Sequence, residues 1–446
     1  MQNTEYNIRA EKAENIRGVI RYLQKFKNAT VVIYIDDKIQ DSSLFSSHIK
    51  DIALLHQAGL KVVLVPGAKS RIDEVLSLSK IKWDYKDHIR ITSEAAMPLI
   101  KMAAFDVSNN AMTALAANNI PAVIGNWVRS RAKGILDGLD FGTAGEIDRL
   151  QVEAINKVLD EGFIPIFPCI GWSSSGHPYN ISSVSLAQSI AIALKADKLF
   201  FMMDGSSVNR EVFTVPENIS VSDNGDVPAM NLQEVDDFIA ANEKDTSPNA
   251  QVVFRLLKKA KSACSKGVTR CHLVDGNIDG VLPCEIFSEL GSGTMIYTAD
   301  YGQIRPMTRT DIPSVLQLMK PFIESGKLLP RTEGSLMETF EDYVVYELDD
   351  GIRACAALHL YQDGQAEIAA VAVDRNFEKM GIGPKLIKYL KSLAVEKKAA
   401  SVFILTTQAA DWFEKMGFVS DNIETLPEER RKIWNAKRNS KLYRLK

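Results

Sequence analysis

Apolar residues follow two rhythms along this chain of 446 residues. In the first three hundred residues, short and nearly unbroken apolar runs alternate with longer stretches of helical spacing. "ATVVIYI" and "KVVLVPG" read as buried strands, with "FSSHIKDIALLHQAG" a helix between them. The strand "FIPIFPCIG", the helix "SVSLAQSIAIALKA", the strand "KLFFMMD", the helix "NAQVVFRLLKKAKSACSKG" and the strand "RCHLVDG" continue the alternation. Strands without polar positions must be covered on both faces, so the pattern predicts an α/β domain built on an open, mostly parallel sheet. Ahead of it, Ile16, Val19, Ile20, Leu23 and Phe26 recur at helical spacing, predicting an amphipathic helix over about 10–27 that must bury its stripe on the body or on another subunit.

The rhythm changes after "GTMIYTADYGQIRP". "MTRTDIPSVLQLM" opens with a Thr-x-x-Asp start, where Thr310 or Asp311 can cap and Pro313 suits a first turn. "YVVYELDDGIRACAALHLY" reads as two strands joined by an Asp-Asp-Gly turn, followed by the strand "EIAAVAV", a glycine turn, a helix, the strand "SVFILTT" and the short helix "AADWFEKMG". Two domains follow, over 1–298 and 303–446, the second a mixed α/β unit.

Composition narrows the function classes. The chain is 46% hydrophobic and 24% charged, with a formal net charge of −3, which gives no general attraction to nucleic acid or to an anionic membrane. No apolar run is long enough to span a bilayer, and "MQNTEYNIRAEKAENIRG" is too charged for a secretory signal, so a cytoplasmic protein is expected. Five dispersed cysteines without a CxxC pair argue against a disulfide framework and a zinc site, and no metal is expected.

The candidate chemistry begins at "EKMGIGPKLIKYLKSLA". Leu386, Ile387, Leu390, Leu393 and Ala394 form one helix face, and lysines 385, 388 and 391 lie largely on the other. Free N–H groups over Met380 to Gly383 would point out of the helix end, where the dipole is positive, and suit a phosphate or pyrophosphate; the plain alternative is a tight turn. Gly381 and Gly383 would let a ligand approach Ile382 and its neighbours without a Cβ in the way. A Rossmann reading fails, because the third glycine and a downstream acid are missing.

The order "EIAAVAV", glycine turn, helix, "SVFILTT", "AADWFEKMGF" resembles the Gcn5-related N-acetyltransferase (GNAT) superfamily, with Glu378 standing where its pyrophosphate loop usually has Gln or Arg. "FILTTQAADWFEKMGF" with "LPEERRKIWNAKRNSK" is similar more narrowly to the arginine-regulated bacterial N-acetylglutamate synthases, in which an amino-acid-kinase-like domain precedes the acetyltransferase. The resemblance implies acetyl transfer from acetyl-CoA to L-glutamate. It implies that Val371, Ala372 and Val373 border the pantetheine arm, with a backbone N–H near Val371 or Ala372 for the oxyanion. Glu367 becomes the candidate base, directly or through a water; the alternative is a solvated edge carboxylate. Phe413 stands where many members have a tyrosine, so Thr406 is nominated as proton donor, alongside its plain reading as a β-branched strand residue. Arg331 and Arg438 are nominated for the substrate carboxylates, while Arg430, Arg431 and Lys432 read as solvated surface.

The first domain resembles the amino-acid kinases without their phosphate chemistry. "VVIYIDDK" puts Tyr34 at the family's lysine and Asp36 and Asp37 at its glycines; "PGAKS" replaces the second glycine loop, and "YNISSVS" keeps Asn180 without the catalytic aspartate. A retained fold without its reaction binds or assembles. The resemblance implies L-arginine bound among Tyr22, Lys258, Glu285, Gly291 and Ser292, feedback inhibition, and a hexameric ring of dimers. The rivals are an acetyltransferase for another amine and a non-catalytic arginine sensor.

Overall fold

The computed structural model describes residues 20, 26–205, 208–222, 224–287, 292–298, 302–348, 351–375, 377, 381–435 and 438–445. The expected helix over 10–27 lies almost wholly outside these residues, as do Tyr22, Gly291 and Met380. The chain divides into two compact units, Met1–Thr298 and Ala299–Lys446.

The first unit is built on eight strands: β1 (Thr30–Ile35), β2 (Lys61–Pro66), β3 (Ala122–Ile124), β4 (Ile164–Ile166), β5 (Lys198–Met203), β6 (Ala229–Asn231), β7 (Arg270–Asp275) and β8 (Thr294–Tyr297). Their order is β6-β8-β7-β5-β1-β2-β4-β3, and every pairing is parallel except β7 with β8. The strands alternate between two cores as period two requires. Val32 and Tyr34 join one cluster, Val31, Ile33 and Ile35 the other. That double burial is why these strands lack polar positions.

Helices α1 (Phe45–Gln57), α2 (Met97–Ala116), α3 (Ser183–Ala193), α4 (Pro248–Cys264) and α5 (Val281–Phe287) cover the sheet. The single strand expected over "FIPIFPCIG" is two, Ile164–Ile166 in this sheet and Ile170–Trp172 in a second sheet with Val128–Ala132, Gly145–Leu150 and Pro178–Asn180, whose existence the apolar rhythm did not reveal. Strand Gly145–Leu150 has no buried residue, so it carries no core signature. Cys284 is exposed and the other four cysteines are buried.

The second unit is one seven-stranded sheet: β9 (Gly302–Pro306), β10 (Tyr343–Leu348), β11 (Gly351–Leu360), β12 (Gln365–Val373), β13 (Ser401–Thr406), β14 (Phe418–Asp421) and β15 (Lys441–Leu445), in the order β9-β10-β11-β12-β13-β15-β14. Helix α6 (Ile312–Glu324) packs on one face with Tyr343, Cys355 and Ala357; α7 (Ile382–Glu396) packs on the other with Ala356, Leu358 and Ile368. Thr308, rather than Thr310, makes the reciprocal capping contact with Asp311 ahead of α6. The α7 stripe is seated as its spacing requires: Leu386, Ile387, Leu390 and Ala394 are buried, and Leu393 partly so.

Candidate active site

The sheet of the second unit opens beside β12. This strand pairs in parallel with β13 from Gln365 opposite Ser401 to Ile368 opposite Ile404, and the pairing stops there. On its other side the register with β11 slips: Cys355 faces Ala372 and Ala357 faces Ala369, so Ala370 and Val371 together oppose Ala356. Ala370 sits at φ 54°, a left-handed conformation that costs an ordinary L-residue about 1–2 kcal/mol. Such a bulge bends its strand. Ala369 to Val373 thus keep a backbone edge on the β13 side with no strand against it among the described residues.

Helix α7 starts next to that edge. Gly381 is its N-cap at φ 66° and ψ 20°, a conformation glycine adopts without a Cβ penalty, and no side chain caps the first turn. The leading N–H groups have no partner within the helix and lie at its positive end. A methyl group on Gly383 would lie 3.0 Å from Trp412 Cζ2 and 3.8 Å from Val373 Cγ2, so the helix start abuts both α8 (Ala410–Lys415) and the end of β12. Gly381, Ile382, Gly383 and Val373 therefore belong to one corner.

On the sheet face that carries Tyr343, Glu367 is 4% exposed, which removes its reading as a solvated edge carboxylate. Its Oε2 accepts from Tyr361 Oη at 2.6 Å and from Arg430 Nε at 2.7 Å, and its Oε1 from Arg430 Nη2 at 3.2 Å. Burial, and then the Glu367 carboxylate, push the Tyr361 phenol well above its ordinary value. Arg430 is not the solvated residue its charge run implied: its side chain is 14% exposed. No helical spacing marked it, because the helix covers only Glu428–Lys432 and Leu426, before it, is extended. His359, also missed, stands directly opposite Glu367 in the β11–β12 register and pairs through Nδ1 with Asp342 Oδ2 at 2.7 Å.

Two more guanidiniums join the cluster. Arg331 Nε donates to Tyr343 Oη at 3.4 Å, and Arg438 Nη2 donates to the Lys327 carbonyl at 2.7 Å. Burial, and then the charges of Arg331 and Arg430, hold Arg438 below the usual arginine range, so both cations lie within electrostatic reach of Arg438. Thr406 ends β13 and accepts the Ala409 N–H at 3.0 Å, ahead of α8; its own hydroxyl proton is not used in that bond. Cys355 is fully buried, and burial pushes its thiol up to about 12, so it is no acyl carrier.

In the first unit the kinase-type loops are filled by the chain's own carboxylates. Asp37 Oδ2 accepts from the Ser70 N–H and Oγ, at the start of the helix Lys69–Leu78. Tyr34 Oη donates to Asp36 Oδ2 at 3.2 Å, and burial, then the neighbouring Asp37, push Asp36 up to about 6. A Cβ on Gly67 would fall 2.9 Å from the Asp37 backbone nitrogen. The corner is packed with negative charge where a nucleotide would bring more.

The effector candidates are only partly brought together. Glu285 is buried and engaged: Oε1 lies 2.6 Å from His272 Nδ1, and Oε2 accepts from the backbone N–H groups of Ser292 and Gly293. It therefore ties α5 to β7 and to the chain entering β8, with one lone pair of Oε1 left over. Ser292 shares that contact, whereas Lys258 is exposed on α4 with no described bond to it. Phe26, just before β1, covers the heads of Lys198 and Arg270, at 4.9 and 5.8 Å from its ring.

Residues 34–275 match the model of the amino acid kinase family, and residues 339–420 that of the acetyltransferase (GNAT) domain. The amino-acid acetyltransferase of Vibrio vulnificus (strain CMCP6) is 33% identical over 438 residues, covering 95% of this chain and 96% of that one. That of Escherichia coli (strain K12) is 30% identical over 445 residues, covering 97% and 98%. Among solved structures, N-acetylglutamate synthase from Neisseria gonorrhoeae complexed with coenzyme A and L-arginine matches with a TM-score of 0.79 at 28% identity, covering 97% of this chain and 99% of that one. The same enzyme complexed with coenzyme A and N-acetyl-glutamate matches with a TM-score of 0.61, covering 97% and 98%.

Proposed function

This chain belongs to the amino-acid acetyltransferase family, and on that premise we propose that it transfers the acetyl group of acetyl-CoA to the α-amine of L-glutamate, giving N-acetyl-L-glutamate and CoA, the first step of arginine biosynthesis. The observation that carries the choice of substrate is the buried Glu367–Arg430 pair with Arg331 and Arg438 in electrostatic reach: one carboxylate and three guanidiniums beside an open strand edge. A substrate with two carboxylates and one amine matches that set, whereas a peptide terminus does not.

The corner of Gly381, Ile382 and Gly383 suits the coenzyme pyrophosphate, with the edge of Val371 to Val373 along the pantetheine arm. Arg331 and Arg438 hold the substrate carboxylates. Glu367 takes a proton from the ammonium, directly or through a water, and the free amine attacks the thioester carbon. A backbone N–H near Val371 or Ala372 receives the developing oxyanion. As the C–S bond breaks, the Thr406 hydroxyl, whose oxygen already accepts from Ala409, donates to the leaving sulfur, while the second proton of the former ammonium leaves to solvent and solvent returns a proton to Thr406. No step passes through a covalent enzyme intermediate, in keeping with the buried Cys355.

The kinase-like unit is read as the regulatory part, which binds L-arginine near Glu285 and Ser292, inhibits transfer and assembles the chain as a hexamer in the cytoplasm. The test is thiol release from acetyl-CoA with L-glutamate, L-aspartate or a peptide amine, each with and without L-arginine. Release with glutamate that arginine suppresses is expected. Release only with another amine favours the rival acetyltransferase, and no release with any amine favours the non-catalytic sensor.

A further inference from the structure

Glu367 is asymmetrically solvated by the protein. Oε2 receives two short hydrogen bonds, from Tyr361 Oη at 2.6 Å and Arg430 Nε at 2.7 Å, while Oε1 receives one long one, from Arg430 Nη2 at 3.2 Å. A carboxylate oxygen offers about two lone pairs. Oε2 is therefore saturated and Oε1 keeps a free lone pair. Tyr361 is fixed for this task from two sides. Its ring lies over Phe403 at 5.9 Å and 28°, and its N–H donates to the Gln365 carbonyl at 2.9 Å, closing the turn between β11 and β12.

We propose that Tyr361 is a positioning residue of the acyl transfer: with Arg430 it occupies Oε2 of Glu367 and leaves Oε1 as the atom that receives the amine proton. This deepens, and rests on, the reading of Glu367 as the base. The proton balance is simple. One N–H bond of the substrate ammonium breaks, one O–H bond forms at Oε1, and the Tyr361 proton stays on its own oxygen. A donor to the ionised carboxylate favours that form, so removing the donor makes the base hold its proton to higher pH.

The test is the pH dependence of kcat/KM for glutamate in the full-length enzyme. Tyr361→Phe keeps the ring against Phe403 and removes only the hydroxyl. Its acid limb is expected to move to higher pH by about half a unit or more, with the KM for acetyl-CoA unchanged. Tyr361→Leu removes ring and hydroxyl together. It should show the same displacement with a lower melting temperature, because the displacement follows the hydroxyl and the stability follows the ring. An unmoved limb in Tyr361→Phe overturns the proposal, and so does a limb that moves only in Tyr361→Leu. Glu367→Gln separates this result from the reading beneath it. Loss of about 100-fold or more in kcat keeps Glu367 as the base, whereas near-normal turnover removes that assignment and Tyr361's role with it.

Discussion

Glu367 and Arg430 stand 63 positions apart and meet through two hydrogen bonds, with their side chains 5% and 14% exposed. Neither burial is tolerable alone. Arg430→Ala leaves an uncompensated carboxylate under the sheet face, and the loss in stability is expected to be about 3 kcal/mol or more. Arg430→Lys keeps the charge and loses the fork, so its loss should be smaller while acetyl transfer still falls. Urea unfolding followed by fluorescence, with turnover on the same samples, checks both; equal stability of Arg430→Ala and the parent would dissolve the structural role of the pair.

The two glycines of the α7 start have separate duties. Gly381→Ala forces a Cβ into a left-handed residue and should cost about 1–2 kcal/mol. Gly383→Ala sits in the first turn, where helix propensity favours Ala by about 1 kcal/mol, but its methyl meets Trp412 at 3.0 Å. The KM for acetyl-CoA should rise in both variants with that for glutamate nearly constant. A change confined to the glutamate KM would place the coenzyme elsewhere.

Arg438 is held by the Lys327 carbonyl and stands near two other guanidiniums. Arg438→Ala should raise the glutamate KM by about 100-fold, the scale of a lost charge-assisted contact, and leave the acetyl-CoA KM within about twofold. Equal effects on both substrates remove the assignment.

His272 gives the first unit a dependence on acid. Burial holds this imidazole at about 4, with Nδ1 toward Glu285, Nε2 without a partner and Phe200 stacked at 4.6 Å. The unfolded chain protonates a histidine near 6.5. Between about 6.5 and 4 the unfolded state therefore binds more protons, and stability falls as pH falls. From pH 7 to pH 5 the loss is about 2 kcal/mol from this residue. Denaturant midpoints at the two pH values should differ by less in His272→Phe, and an undiminished difference would assign the effect to other groups.

In the kinase-like corner the carboxylates of Asp36 and Asp37 are bound by Tyr34 and Ser70, an arrangement expected to repel a nucleotide. Incubation with ATP and N-acetylglutamate should give no acylphosphate, and ATP should leave the melting temperature unmoved. Formation of an acylphosphate would falsify the loss of kinase chemistry.

How far the sequence reaches depends on whether a residue's environment is local. The strands β1, β2, β5 and β7 and the stripe of α7 were legible because burial writes itself into period two or 3.6 within one segment. The glycines before α7 were legible for the same reason, since their conformation is set by adjacent residues. "MTRTDIPS" revealed a helix start but not which threonine capped it, because Thr308 and Thr310 differ only in where the chain turns. The four-stranded sheet over 128–180 was hidden, since strands with mixed or no burial leave no rhythm.

Sequence by itself determined the α/β layers, the change of rhythm near residue 300 and the glycine turn at Gly381 and Gly383 ahead of α7, and it nominated Glu367 as a base. Tertiary structure alone decided what that carboxylate touches. Arg430 looked like surface because its charge is common and its partner is 63 positions away, and Tyr361 looked like the last residue of a strand. The contacts of Glu285 with His272 and two backbone amides were likewise decided by the fold. The reason is physical: hydrophobic burial is written locally as a period, whereas the pairing of buried charges depends on which distant segments the fold brings within about 3 Å.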